Sequence, residues 1–270
     1  MYTDSGKTPL QDQRFEQDES AARYVGHVFV RLSAKGRKFT NVDFRYSTFD
    51  SCYFRNAQFN SCDFTGCRFV GSNFHGATFS GCTFDYASFE KTTIDPTLLD
   101  TEYPKPENLR ARFARTLRMN FAQLGDVASA NKAMKLELEA TGIHCWKAVF
   151  SEEKYYRSKY TGVLWWKALY DLLLFRLGDF VWGNGESLGR LLRCALLVLL
   201  AMTVFDVVEF GSPNLTSSWG TSFLRSFEMF MGVPFDAVGY PKPYVGIMTL
   251  VRLIAIAFLI SIVFKKFNRR

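Results

Sequence analysis

The sequence predicts a mixed chain: a repetitive β-block, then a helical hairpin, then an α-helical C-terminal part directed at a membrane. Three observations predict it. Phe recurs at every fifth position from 39 to 89; Leu109, Phe113, Leu117 and Phe121 recur at a spacing of four; and residues 191–208 and 245–264 are two apolar runs. Each run is close to the ~20 residues that a bilayer-spanning helix needs. Composition agrees: 270 residues with 48% hydrophobic and 22% charged side chains are far from a disordered chain. The formal charge of +7, from 33 Lys/Arg and 26 Asp/Glu, argues against an acidic nucleic-acid mimic as the theme of the whole chain.

Residues 1–23 read as a polar tail with no secretory signal, so the six Cys are expected to be reduced. From there the five-residue register takes over. Tyr24 and Phe29 share its phase before Ala34 interrupts it, eleven Phe follow without a break from Phe39 to Phe89, and Ile94 continues the series. A period of five fits neither the 3.6 of a helix nor the 2 of a strand; it needs a backbone that turns a corner every five residues. The positions two before each Phe (Val42, Ser47, Cys52, Ala57, Cys62, Cys67, Ser72, Ala77, Cys82 and Ala87, with Thr92 before Ile94) are small enough to point inward. Residues after the Phe, such as Arg45, Asp50, Arg55, Asn60 and His75, are polar and suit an outer face. Four of the Cys are then small inward hydrophobes, with Cys62 and Cys82 stacked on adjacent coils. No spacing suits a metal site, and no metal or cofactor is expected.

The units CYFRN, AQFNS, CDFTG, CRFVG, SNFHG, ATFSG, CTFDY and ASFEK resemble the pentapeptide-repeat family over residues 24–95. The resemblance implies a right-handed quadrilateral β-helix with four pentapeptides per coil. Twelve repeats would give three coils, stacked at roughly the 4.8 Å strand spacing, and a solenoid this short needs capped ends. Gyrase-protecting members of the family are acidic, DNA-shaped rods. Residues 37–95 here carry six Lys/Arg against six Asp/Glu, so a scaffold or oligomer-contact role is expected instead.

Residues 96–160 read as a basic helical hairpin that caps the solenoid. The 109–121 stripe is amphipathic, Leu124-Gly125-Asp126 ends it with a turn and a cap, and a second helix is predicted over 127–140 through Ala130, Met134 and Leu138. Arg110, Arg112, Arg115 and Arg118 crowd the first helix, with Lys132 and Lys135 on the second; residues 104–160 hold eleven basic and six acidic side chains. They are either an ordinary solvated face or a site for an anionic ligand, since Arg forks suit phosphate. Tyr155, Tyr156 and Tyr160 are candidate stacking surfaces beside them.

Residues 161–187 are Trp-rich and apolar but carry Lys167, Asp171 and Arg176, as in a helix lying in the membrane interface; a buried core helix is the alternative. Residues 188–270 contain the two spans. Basic residues flank them on the outside (Arg190, Arg193, Lys265, Lys266, Arg269, Arg270), and only Arg225 and Lys242 lie between them. That asymmetry places both chain ends in the cytoplasm. Between the spans, 219–231 reads as a short apolar helix that stops at Gly232-Val233-Pro234.

This layout resembles the two-span cation-channel pore module, in the variant fused to pentapeptide repeats, and the resemblance implies a homo-oligomer, most naturally a tetramer. Residues 230–236 depart from the potassium filter TVGYG, so potassium selectivity does not carry over. Glu228, Gly232, Asp236 and Arg252 are the candidate pore-lining residues; the charged ones are either functional or members of structural ion pairs. Solenoid, basic hairpin and pore together also resemble the channel effectors of Hailong-type antiphage systems. That resemblance implies a short single-stranded DNA or nucleotide signal, made by a partner nucleotidyltransferase and contacted by Arg110, Arg112, Arg115, Arg118, Lys132 and Lys135. Three scattered His and no nucleophile or nucleotide motif argue against an enzyme. The rival to a channel is a membrane-tethered scaffold.

Overall fold

The structure, a computed structural model, describes residues 9–211, 215–233 and 239–267. It divides into two compact units, Met1–Ala168 and Leu169–Arg270. The first opens with short parallel strands, β1 Pro9–Gln11, β2 Glu19–Ser20, β3 Val28–Val30, β4 Lys38–Thr40, β5 Thr48–Asp50, β6 Gln58–Asn60, β7 Arg68–Val70, β8 Thr78–Ser80 and β9 Ser88–Glu90. Odd strands stack into one sheet and even strands into another. Two further columns of bridges, Arg14–Ser33–Tyr53–Asn73–Thr93 and Arg23–Asp43–Asp63–Thr83, supply the other sides. The result is a four-sided β-solenoid.

The register follows from the sequence: Phe29 lies on Phe49, Phe49 on Phe69 and Phe69 on Phe89, a step of twenty residues. Ring centroids within this column are 5.0, 5.1 and 4.9 Å apart with nearly parallel planes, and neighbouring columns meet mostly edge to face, as Phe44 meets Phe49. Offset stacks and T-shaped pairs are the arrangements that aromatic quadrupoles favour. The small positions are buried as expected. All six Cys are free; burial pushes the Cys52 thiol up to about 11 and that of Cys67 up to about 12. The Cys62 and Cys82 thiols donate to backbone carbonyls one coil down, Cys62 to Phe39 O at 3.5 Å and Cys82 to Phe59 O at 3.4 Å.

Two expectations are corrected. The segment read as a polar tail holds β1 and β2, which pair with β3 and β4, so the solenoid is already formed at Pro9 and makes about four turns rather than three. Ala34 does not interrupt it: the residue is fully buried, and Phe15, one coil earlier on the same side, supplies aromatic bulk against Tyr24 and Phe39.

The corners come from the residue two after each Phe. From Gly26 to Lys91 every such residue has positive φ, including Asn41, Asn56 and six glycines but also Arg31, Tyr46, Ser51 and Lys91. L-residues adopt this region at a cost that stacking must outweigh. At Gly66 a Cβ would lie 2.6 Å from the Tyr46 ring of the coil beneath, so glycine is required there on both counts.

Helices α1 Leu98–Thr101, α2 Glu107–Gln123, α3 Val127–Phe150 and α4 Lys154–Lys159 follow. They close the solenoid. Along one side, an inward hydroxyl accepts a backbone N–H from the coil below: Cys52 N donates to Ser72 Oγ and Ser72 N to Thr92 Oγ1. The series ends on α2, where Thr92 N donates to Asn120 Oδ1 at 2.7 Å and Asn120 Nδ2 donates to Thr92 O at 2.8 Å. On another side Gly81 N and Cys82 N donate to the Glu102 carboxylate, and Lys91 N donates to Gln123. These side chains take the place of the next coil, satisfying donors that would otherwise be orphaned. Phe113 covers Phe84 and Phe89.

α3 runs ten residues past the predicted end at 140, and its buried residues are Ser129, Ala133, Ala140, Ala148 and Val149, with Ala130, Met134 and Leu138 only half-buried. Small residues among those buried let α2 approach closely. The extension past Gly142 is held from outside, because Lys147 pairs with Glu107 at the start of α2 at 2.8 Å and with Glu153 at 2.6 Å.

α5 Val163–Trp182 straddles the division of the chain. In the second unit α6 Leu188–Phe210 and α8 Lys242–Phe267 cover the two predicted spans, with α7 Thr216–Met231 between them.

Candidate functional site

Two groups of residues carry the candidate function, and each lies within one unit. On the hairpin the six predicted cations do not converge. Arg110 donates to the carbonyls of Pro104 and Lys105 and lies 4.5 Å over the Tyr103 ring. Arg112 lies over Tyr86. Arg115 and Arg118 both grip Glu137 of α3 at 2.8 Å, and Lys132 pairs with Asp100 at 2.5 Å. Among the described residues Arg112 and Lys135 form no ion pair with a carboxylate. Four of the six are thus committed to holding the cap together.

The tyrosines are not a stacking surface as a set. Tyr156 is buried and donates to Glu107, and His144 sits between the hydroxyls of Tyr156 and Tyr160 at 3.2 and 3.0 Å. Burial, then Lys159, holds the imidazole below its ordinary value. Tyr155 alone of the three is well exposed.

In the second unit α6 and α8 are long and apolar enough to cross a membrane. Almost none of the apolar stretch of α8 is covered within the chain; Ile260 and Phe264 are 60% and 67% exposed. A soluble core helix would bury these side chains. α7 packs Ser222, Ser226, Met229 and Phe230 inward while Phe223, Leu224 and Phe227 face out. Its end is sharp because Gly232, at φ 75°, donates to the carbonyls of Glu228 and Met229, a left-handed glycine cap.

Sequence reasoning missed the main polar contact of this unit. Asp206 is 2% exposed inside α6; Arg225 of α7 donates to its carboxylate at 3.4 and 3.5 Å, and Tyr240 O–H donates to it as well. One carboxylate therefore ties α6, α7 and the approach to α8. The available signal was an acid within an apolar run and the lone Arg of the connecting segment. At one end of the helices Arg190 pairs with Asp179, and Lys265 with Glu186.

Of the candidate pore residues, Gly232 and Arg252 come together. A Cβ on Gly232 would overlap the Arg252 guanidinium, so the missing side chain is what lets Arg252 of α8 lie against the end of α7. Among the described residues neither Arg252 nor Glu228 has an ion-pair partner, and both are half-buried. Asp236 lies outside the described residues.

Comparison with known proteins bears on the first unit. Two models of pentapeptide repeats match, at residues 38–76 and 59–99. No match was found among curated proteins. Among solved structures the chain is similar to QnrB1, a plasmid-mediated fluoroquinolone resistance protein, at 16% identity and a TM-score of 0.21 over 33% of this chain. The match spans 63% of that protein's length. Taken with the twenty-residue stacking, the matches identify residues 38–99 as pentapeptide repeats, within a chain that also carries two helices of membrane-spanning length and apolarity.

Proposed function

We propose that α6, α7 and α8 form the repeated unit of an ion-conducting pore in a membrane-embedded homo-oligomer, with the pentapeptide-repeat solenoid and its helical cap as the cytosolic domain that assembles or gates it. The observation that carries this reading is α7: a short helix between two bilayer-length helices, tied to α6 through Asp206–Arg225 and ended by Gly232 against Arg252. A mere tether needs no third helix and no charges at that level, where each is costly. Glu228 and Arg252, which have no ion-pair partner among the described residues, are charges that such a pore would present to ions, and the uncovered faces of α6 and α8 are surfaces for lipid and for further copies of the chain. A tetramer is the symmetry proposed, with both chain ends on the cytoplasmic side of a bacterial inner membrane.

In the same reading the gating signal is a short anionic oligonucleotide bound at the hairpin, in an antiphage setting. Arg112 and Lys135 are available to phosphate; Arg115 and Arg118 would exchange Glu137 for it.

Ion flux through the purified chain in liposomes tests the proposal, with and without short single-stranded DNA at two salt concentrations. The expected outcome is flux that deletion of residues 219–235 abolishes, that DNA suppresses at low salt, and that high salt restores as phosphate contacts weaken. Flux indifferent to DNA removes the gating signal and leaves a channel. A tight membrane under every condition refutes the pore and leaves a tethered scaffold.

A further inference from the structure

The second unit contains an apolar cavity of about 190 Å³. One wall is the face of α6 running from Leu191 to Val198 at helical spacing, and another is the equivalent face of α8 from Val251 to Phe258; Val181 of α5 and Phe230 of α7 complete it. Cys194 contributes the one heteroatom among these side chains. Ile254, at 45%, is the most exposed of the lining residues. A smaller apolar cavity of ~150 Å³ in another protein stays dry and takes up an apolar guest instead, so water is a poor occupant here.

A cation adjoins the cavity wall in the chain. Arg193 directly precedes Cys194, is exposed, donates to Phe180 O at 2.8 Å and lies 4.9 Å over the Phe180 ring, next to Val181 of the wall. Its neighbours Arg190 and Lys265 are matched by Asp179 and Glu186, whereas Arg193 has no carboxylate partner among the described residues. A guanidinium with free donors suits a phosphate oxygen, and the wall beside it suits a hydrocarbon chain.

We infer that this cavity is a binding site for one acyl chain of an anionic phospholipid, with the lipid phosphate held by Arg193. The inference rests on the membrane reading above, but not on conduction.

The test is native mass spectrometry of the full chain, stripped of lipid in detergent and then offered phosphatidylglycerol or phosphatidylcholine of matched chains, or glycerol phosphate. The expected result is retention of phosphatidylglycerol at least ~10-fold over phosphatidylcholine, with no retention of glycerol phosphate. Arg193→Gln, a surface change that spares the fold, should bring the two lipids within about twofold of each other. Ala255→Trp, which fills the cavity, should lower retention of both about tenfold. Equal retention of the two lipids by the unaltered chain overturns the inference, and so does unchanged retention by a folded Ala255→Trp. Alkaline carbonate extraction separates the two levels. A chain released from membranes refutes the membrane reading itself, whereas a chain kept in the pellet without lipid preference refutes only the site.

Discussion

Replacing Asn120 by Leu isolates what the cap does for the solenoid. The two side chains are close in size, so packing beneath α2 is conserved while both polar contacts with Thr92 vanish. Asn120 and Thr92 are each fully buried, and the lost bonds, 2.7 and 2.8 Å long, leave one N–H and one C=O of the last coil without partners. Each unsatisfied buried group costs about 1–3 kcal/mol. The sum spans about 2–6 kcal/mol, and partial hydration at the end of a solenoid brings the expected loss to about 3 kcal/mol. At 1.4 kcal/mol per decade this is roughly a hundredfold change in the opening equilibrium. Hydrogen–deuterium exchange of the full chain in detergent reads it directly: peptides covering residues 88–95 should exchange about a hundredfold faster, while those of the first coils stay as they were. Gln123→Leu, which loses one exposed bond to Lys91 N at 3.1 Å, should stay within about 0.5 kcal/mol of the original. Exchange at 88–95 within threefold of the unaltered chain for Asn120→Leu would refute the role assigned to α2.

The remaining predictions concern other parts of the chain. Arg225→Ala strands the buried Asp206 carboxylate and should cost about 3–5 kcal/mol, whereas Asp206→Leu with Arg225→Met should recover most of it; melting in detergent compares the two. Phe64→Ala removes a ring stacked on both Phe44 and Phe84 at 5.2 and 5.1 Å and should cost about 3–5 kcal/mol, with Phe79→Ala costing less because Phe79 is only half-buried; denaturant titrations give both. For the Glu107–Lys147 pair, burial alone would raise Glu107, but bonds from Lys147, its own backbone and Tyr156 outweigh it and hold the carboxyl below its ordinary 4.5. Its contribution is therefore complete above that value and lost as pH falls through the lower folded value. Lys147 is raised above its ordinary 10.5, chiefly by Glu107, so its share is complete below 10.5 and lost as pH rises through the higher folded value. Lys147→Met should flatten both limbs of thermal stability against pH.

The parts of the molecule that were legible are those whose signal repeats. Eleven Phe in one register carry their own proof, and the small residues two positions before them follow from the geometry of a packed interior. The Leu109–Phe121 stripe and the two apolar runs are periodic or continuous for the same reason. What could not be read was set by partners distant in the chain. The first coil has only Leu10 and Phe15 to announce it, and it folds because β3 and β4 already offer edges. The positive-φ corners were half visible as Gly66, Gly71, Gly76 and Gly81, yet Arg31, Tyr46 and Lys91 are held there only by the coils around them. α3 continues past Gly142 because Glu107, forty residues earlier in the chain than Lys147, waits for it. A count of hairpin cations likewise cannot show that Glu137 occupies Arg115 and Arg118, nor can hydropathy show that Asp206 finds Arg225.

The twenty-residue repeat makes the length of the solenoid a quantised property. Removing residues 48–67 would bring Thr40 and its neighbours to the coil above with every Phe again on a Phe, and Glu102 and Asn120 would each still meet its own side of the final coil. Removing five residues would turn everything above the cut by one side of the square and carry both capping residues away from the donors they satisfy. The distance between the first coil and the capped end can therefore change by whole coils, about 4.8 Å at a time, with both ends untouched. Lengths in between are closed to the fold, so insertions that survive in this part of the chain should come in multiples of twenty or bulge outward at a corner.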